Sequence, residues 1–200
     1  MQGTLALLAE AGVAISSVDV MVHGTTLATN AIIERKGART ALIATDGFRD
    51  VLDIAYESRY DQYDIFIEKP VSLVPRARRF TVPERVDVEG RVLLALDETE
   101  AADLPARLKA EGIESVAVSL LHAYANPAHE QRLREILTKA MPGIAVTLSS
   151  EVCPEVREYE RTSTAVANAY VQPLMAGYLG RLDRKSTRLN SSHVSESRMP

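Results

Sequence analysis

A titratable ring, a glycine and a cluster of hydroxyl and amide groups gather at positions 23–30, HGTTLATN. His23 is titratable, and Gly24 lets the backbone come close to a ligand. Thr25, Thr26, Thr29 and Asn30 supply hydroxyl and amide donors within six residues. An apolar run at 18–22 precedes them, and a helical pattern follows from Ala28 to Ile33. The stretch therefore reads as strand, polar turn, helix. In an α/β sheet such a turn sits at the carboxyl end of a strand, where ligands usually bind. The helix start adds unpaired backbone N–H groups that can face an anion. Neutral donors there suit a phosphoryl or carbonyl oxygen whose negative charge develops during reaction. A plainer reading stands beside this one, in which Thr29 or Asn30 caps the helix and the threonines are solvated. His23, too, is either a general base or a histidine satisfied at a strand end.

Two further groups are chemically equipped. Arg59 and Tyr63 fall in a stretch rich in Tyr, Phe and Arg, where Arg59 could hold a carboxylate or phosphate with two hydrogen bonds. As an exposed loop arginine it would do nothing of the kind. Glu158, Arg161 and Thr164 lie in a dense alternation of charge that opens a long helix, and that pattern equally describes a solvated, ion-paired surface. Asp46 and Asp50 could bind Mg²⁺, although Asp46-Gly47 is more simply a turn.

Periodicity gives the strands and helices around these groups. Apolar residues at Leu5, Leu8, Ala9 and Val13 predict a helix over 4–14 with one buried face. Residues 18–22 form a first strand, and a helix over 28–36 stops at Gly37. The run 40–44 reads as a strand buried on both faces, followed by a short helix over 48–54. From 55 to 83 an irregular surface excursion is expected, with a hairpin of 79–87 and 91–96 at the sheet edge. Asp97 and Glu100 have capping-box spacing ahead of a helix to Ala110, which Gly112 ends. A strand at 115–121 and a helix opened by Asn126-Pro127 and running to 140 come next. A strand at 144–148 and an amphipathic helix over 156–182, with Pro173 inside it, complete the order. Short connections between alternating strands and helices predict a parallel sheet with helices on both faces. Residues 185–200, serine-rich and without apolar period, are expected to be unstructured and to resemble translated adapter sequence.

Composition narrows the class. Of 200 residues 46% are hydrophobic, enough for a real core. A net charge of −4 argues against a general nucleic-acid or anionic-membrane binder. The single cysteine, Cys153, excludes an internal disulfide or a cysteine-clustered metal site. No apolar run approaches the roughly 18 residues of a membrane span, so a cytoplasmic chain is expected.

Three segments in one order resemble the hydantoinase A/5-oxoprolinase family. They are VHGTTLATNAIIERKGARTALIATDGFRDVLDI, RRFTVPERVDVEGRVLLALDE and SSEVCPEVREYERTSTAVANAYVQPLMAGYL. Together the resemblance spans about residues 4–182. It implies an actin/Hsp70-like sugar-kinase (ribonuclease H-like) lobe, incomplete here, with a mixed sheet flanked by helices. It further implies ATP with Mg²⁺, and either ring opening of a cyclic amide such as 5-oxoproline or a hydantoin, or activation of a ketone for carboxylation. Phosphorylating a lactam carbonyl turns its oxygen into a leaving group, by positioning and charge neutralisation. The family's glycine-rich first phosphate loop has no counterpart in this sequence. On this resemblance residues 1–155 are the N-terminal lobe without that loop, 156–184 a helix opening the second domain, and 185–200 a non-native tail. The residues assigned to catalysis are His23, Thr25, Thr26 and Arg59. Substrate or nucleotide contacts fall to Gly24, Thr29, Asn30, Tyr63, Glu158, Arg161 and Thr164. The implied partners are a small cyclic amide and either further copies of the chain or a hydantoinase B-type subunit, with no nucleic acid and no membrane. A non-catalytic α/β domain binding a small anion or a partner subunit remains the alternative, and the chain alone is expected to lack ATP-dependent lactam hydrolysis.

Overall fold

The computed structural model describes residues 2–14, 17–18, 24–56, 63–66, 68 and 70–196. All but the first residue of the expected strand at 18–22 lies outside them, as do His23 and Arg59. The chain divides into two units, residues 29–174 and residues 1–28 with 175–200.

The larger unit is built on a parallel sheet. Its strands are β1 (Thr40–Thr45), β2 (Arg79–Val82), β5 (Ser115–Ser119) and β6 (Ala145–Leu148), in the order β2-β1-β5-β6. Register places Leu42 beside Arg79 and Ala117, and Val116 beside Val146. All four strands are parallel, where the resemblance implies a mixed sheet. β3 (Arg85–Val86) and β4 (Val92–Leu94) form a separate antiparallel ribbon. The expected hairpin is thus corrected. Pro83 interrupts its first arm, residues 79–82 join the main sheet, and only 85–86 turn back against 92–94.

Side-chain alternation along the strands builds a core on each face. Ala41, Ile43, Val116 and Val118 pack with Leu104 and Leu108 of α4 (Glu98–Ala110) and with Leu133 and Leu137 of α5 (Ala128–Ala140). Leu42, Ala44 and Ala117 face Ala165, Val166 and Ala169 of α7 (Glu158–Glu196). Small residues on both sides let α7 lie close to the sheet. Asp97 caps α4 by accepting from the Thr99 and Glu100 N–H groups at 2.9 and 3.1 Å. The reciprocal half of the box is absent, because the Asp97 N–H is taken by the Pro83 carbonyl. Gly112 ends α4 at φ +61°, a conformation open to glycine without strain.

Between α3 (Val51–Ile54) and the single 3-10 turn at Arg76–Arg78 no regular element occurs among the described residues, as expected of the excursion. Arg79 anchors its far end. The side chain is buried, donates through Nε to the Val74 carbonyl at 3.0 Å, and grips Asp53 through both terminal nitrogens at 2.7 and 2.8 Å.

The smaller unit contains α1 (Gln2–Glu10) and the far part of α7. Of the face expected of α1, Leu8 is half-buried and Ala9 and Val13 are exposed. In the serine-rich tail, residues 185–196 continue α7. Once nucleated, a helix gains one hydrogen bond for each residue added, and no proline or glycine interrupts this stretch.

Candidate functional site at the carboxyl edge of the sheet

Polar groups that the apolar strands cannot absorb collect where β1, β2, β5 and β6 end. Thr45, Glu84, Glu130 and Ser149 among them are buried and partnered. Thr45 donates its hydroxyl to Glu84 and accepts from the Leu121 N–H at 2.8 Å. The other oxygen of Glu84 meets Nδ1 of His129 at 2.8 Å. On α5, Glu130 is completely buried and receives four donors. Its Oε1 takes the Leu120 N–H at 3.0 Å and the Ser149 hydroxyl at 2.6 Å. Its Oε2 takes the N–H and hydroxyl of Ser150 at 3.0 and 2.7 Å. Burial pushes the Glu130 carboxyl above its ordinary range, and the hydrogen bonds from Ser149 and Ser150 oppose that shift.

On the other face of the sheet, Arg161 of α7 is 1% exposed. One terminal nitrogen donates to the Glu155 and Val156 carbonyls at 2.6 and 3.3 Å, the other to the Leu120 carbonyl at 3.2 Å. The guanidinium carbon stands 5.5 Å from the centre of the Tyr124 ring. Leu120 is therefore held twice, its N–H by a buried carboxylate and its C=O by a buried guanidinium. Burial pushes the Arg161 pKa down, while the charges of Glu130 and Glu158 favour its cationic form. Two residues beyond Leu120, His122 has φ +53°, a left-handed conformation that a non-glycine residue adopts only at a cost.

The Nε of Arg161 is buried and has no hydrogen-bond partner among the described residues. Arg161 lines a small hollow of about 10 Å³ over the ends of β1 and β5, with Ala44, Phe48 and Val51 as apolar wall. Ser119, Glu158 and Thr162 add polar groups, and the hydroxyls of Ser119 and Thr162 are 2.7 Å apart. Glu158 is half-buried and has no hydrogen-bond partner among the described residues. The hollow has room for about one water molecule among these polar groups.

Of the residues singled out from sequence, this hollow brings together Glu158 and Arg161. Thr164 is exposed, and Thr162 stands at the hollow instead. Tyr63 is 92% exposed and does not line it. Gly24, Thr25 and Thr26 are exposed in the smaller unit, ahead of α2 (Leu27–Ile33). The Thr25 hydroxyl accepts from the Leu27 N–H at 3.2 Å, so the cap expected of Thr29 or Asn30 is made two residues upstream of the helix by Thr25. Thr29 and Asn30 lie exposed within α2. Asp50 is not available to Mg²⁺ in this arrangement, since Arg76 holds both its oxygens at 2.9 and 3.1 Å and lowers its pKa. Among the described residues no group of three His, Cys, Asp or Glu side chains fits a metal ion, and no helix is long and apolar enough to cross a membrane. Sequence reasoning missed Ser119, Glu84, His129, Glu130 and Thr162. The available signal was polarity at strand ends and on the inward face of α5.

The family model for the hydantoinase/oxoprolinase N-terminal region matches residues 2–141. The chain is 36% identical over 171 residues to caprolactamase subunit alpha of Pseudomonas jessenii, covering 84% of this chain and 25% of that protein. It is 31% identical over 207 residues to 5-oxoprolinase of Saccharomyces cerevisiae, covering 90% and 16%. The crystal structure of the ATP-dependent caprolactamase superposes with a TM-score of 0.83 at 35% identity, over 91% of this chain and 27% of that one. Nucleotide-free acetone carboxylase superposes with a TM-score of 0.69 at 30% identity, over 83% and 26%. The chain thus spans about a quarter of the length of the first relatives it matches. It belongs to the hydantoinase/oxoprolinase family, whose N-terminal region it matches.

Proposed function

We infer that this chain is part of an ATP-dependent enzyme that opens a cyclic amide, as its relatives 5-oxoprolinase and caprolactamase are named for doing. The observation that carries the reading is the likeness in sequence and fold to the ATP-dependent caprolactamase, beside which stands a buried N–H of Arg161 without a partner among the described residues at the carboxyl edge of the parallel sheet. A donor withdrawn from water and already fixed is worth more to a developing oxyanion than one that must be reorganised. Residues 1–155 serve as the N-terminal lobe, and the helix from 156 to 184 opens the next domain. The turn at Gly24, Thr25, Thr26, Thr29 and Asn30 presents neutral donors to a phosphoryl or carbonyl oxygen. His23 serves as proton carrier and Arg59 as anion anchor. ATP with Mg²⁺ would supply the phosphoryl group and neutralise its charge, a reading supported by the ATP dependence in the name of the related caprolactamase. The enzyme works in the cytoplasm with a hydantoinase B-type partner, a reading supported by the designation of caprolactamase alpha as a subunit.

A second reading, ATP-dependent ketone carboxylation, is favoured by the likeness to acetone carboxylase.

Thr26→Val in the full-length protein tests the turn. The Thr25 hydroxyl already caps α2, whereas that of Thr26 makes no hydrogen bond among the described residues. Loss of a cap costs about 1 kcal/mol of stability. Loss of an oxyanion donor costs roughly 3 kcal/mol in the transition state, about a hundredfold in rate. The expected result for Thr26→Val is unchanged melting with turnover reduced on that scale. Normal kcat would remove the turn from the site.

A further inference from the structure

We propose that a cleft at the amino edge of the parallel sheet binds a small organic dianion, held by Arg35, Arg39 and Arg78. The proposal is independent of the ring-opening reading, because this edge lies a strand length, about 15 Å, from the carboxyl edge. Topology assembles the cleft. Ala38 and Arg39 stand just ahead of β1, Arg78 just ahead of β2 and Glu114 just ahead of β5. These three strands are neighbours and parallel, so their entries converge on one cavity of about 710 Å³. Arg35, beyond the end of α2, lines it too, and Val71, Leu73 and Tyr170 supply apolar wall. Small-molecule sites usually enclose about 300–1,000 Å³.

The charges on the wall are incompletely answered. In the turn that leads into β2, Arg76 is paired with Asp50 and Arg79 with Asp53. Arg78, half-buried between them in sequence, has no hydrogen bond or ion pair among the described residues. Arg35 donates through Nη2 to the Val71 carbonyl at 2.6 Å and has no other side-chain hydrogen bond among the described residues. Its φ of +56° is a conformation that glycine would adopt without strain, yet an arginine occupies it. Arg39 meets Glu111 at 3.3 Å, and both side chains are half-exposed, so that pair is weak. Glu114 already accepts the Arg39 backbone N–H at 2.8 Å. Three guanidiniums thus face one lining carboxylate, an excess that two anionic groups on one ligand neutralise. Guanidinium forks match carboxylate and phosphate oxygens with paired hydrogen bonds. The Ser72 hydroxyl accepts only a long bond from the Val74 N–H, at 3.4 Å, and keeps its O–H to donate. The apolar wall suits a carbon skeleton between the two charges.

The test is isothermal titration calorimetry of the chain at low ionic strength. Glutarate and glycerol 3-phosphate, both doubly ionised, are the probes. Butyrate and 1,5-diaminopentane control for the number and the sign of the charges. The expected result is saturable one-to-one binding of one or both dianions, about tenfold tighter than butyrate, weakening as salt is added. The diamine should not bind. Binding of glutarate alone makes the ligand a dicarboxylate, and binding of glycerol 3-phosphate alone makes it a phosphate ester; either supports the proposal. Arg78→Gln should weaken the dianion about tenfold at unchanged melting temperature, because the wild-type side chain has no partner among the described residues to lose. Arg76→Gln removes a nearby positive charge that Asp50 already holds, and should leave binding as it was. Absence of saturable binding by either dianion overturns the proposal, as does butyrate binding equally well. So does an Arg78→Gln variant that binds normally, or an equal loss in Arg76→Gln, which would reduce the effect to general surface charge.

Discussion

Replacing Glu130 by Gln puts the polar layer under the sheet edge to a quantitative test. Two of its four donors, the Leu120 and Ser150 N–H groups, are backbone and cannot rotate, and each meets a different oxygen. Gln keeps one oxygen and sets an NH₂ where the other stood, so one backbone N–H is left facing a donor in either orientation. A buried donor left unmet costs about 1–3 kcal/mol. The neutral amide, in turn, is cheaper to bury than the carboxylate, whose pKa burial already raises. Arg161, buried and favoured by the Glu130 charge, loses that support. The net expectation is a loss of about 2 kcal/mol, seen as a lower urea midpoint at unchanged slope. For a chain of this size that is a fall in Tm of roughly 4–8 °C. Glu130→Leu strands both N–H groups and Arg161 together and should cost about 3–5 kcal/mol. If Glu130→Gln is as stable as the parent or more so, desolvation outweighs the four donors and the account of this layer is wrong.

Two other perturbations probe what frames the site. The hydrogen bond from Arg79 holds the Asp53 carboxyl below its ordinary value, so the pair's stabilisation is complete above about pH 4 and is lost as pH falls through the lowered pKa. Asp53→Asn should flatten that acid limb of a stability-versus-pH curve and cost about 1–2 kcal/mol at pH 7, discounted because Asp53 is half-exposed. An unaltered acid limb would show that the pair contributes nothing. At Gly37 an added methyl would sit 2.2 Å from the Tyr170 ring. Gly37→Ala should therefore lower stability by about 1–3 kcal/mol in a thermal melt, and an unchanged Tm would mean that the ring yields freely.

Much of this architecture was legible because its signals are local. Continuous apolar runs at 40–45, 115–119 and 145–148 identify buried parallel strands, and Asp97 announces α4 through its own cap. The arm at 79–87 misled because the residues on either side of Pro83 have equal strand character, and only tertiary pairing separates them. Around α7, Arg161 and Thr162 fall within about 60° of Glu158, while Thr164 lies about 240° on, at 100° per residue. The sequence placed Glu158 and Arg161 together, but the phase of the face that meets the sheet decides between the threonines. Glu84, His129 and Glu130 stayed invisible because a carboxylate or imidazole on a helix or after a strand normally reads as surface. Their role depends on Thr45, Ser149 and Ser150, which are distant in sequence.

The most direct test of the central claim is product stoichiometry in the full-length protein supplied with ATP, Mg²⁺ and 5-oxoproline, a hydantoin or caprolactam. Released phosphate and ring-opened acid are measured in the same sample. The account predicts that one of these cyclic amides drives phosphate release and is opened in a one-to-one ratio. Phosphate release that answers only to a ketone with bicarbonate, or to no added substrate, would contradict it.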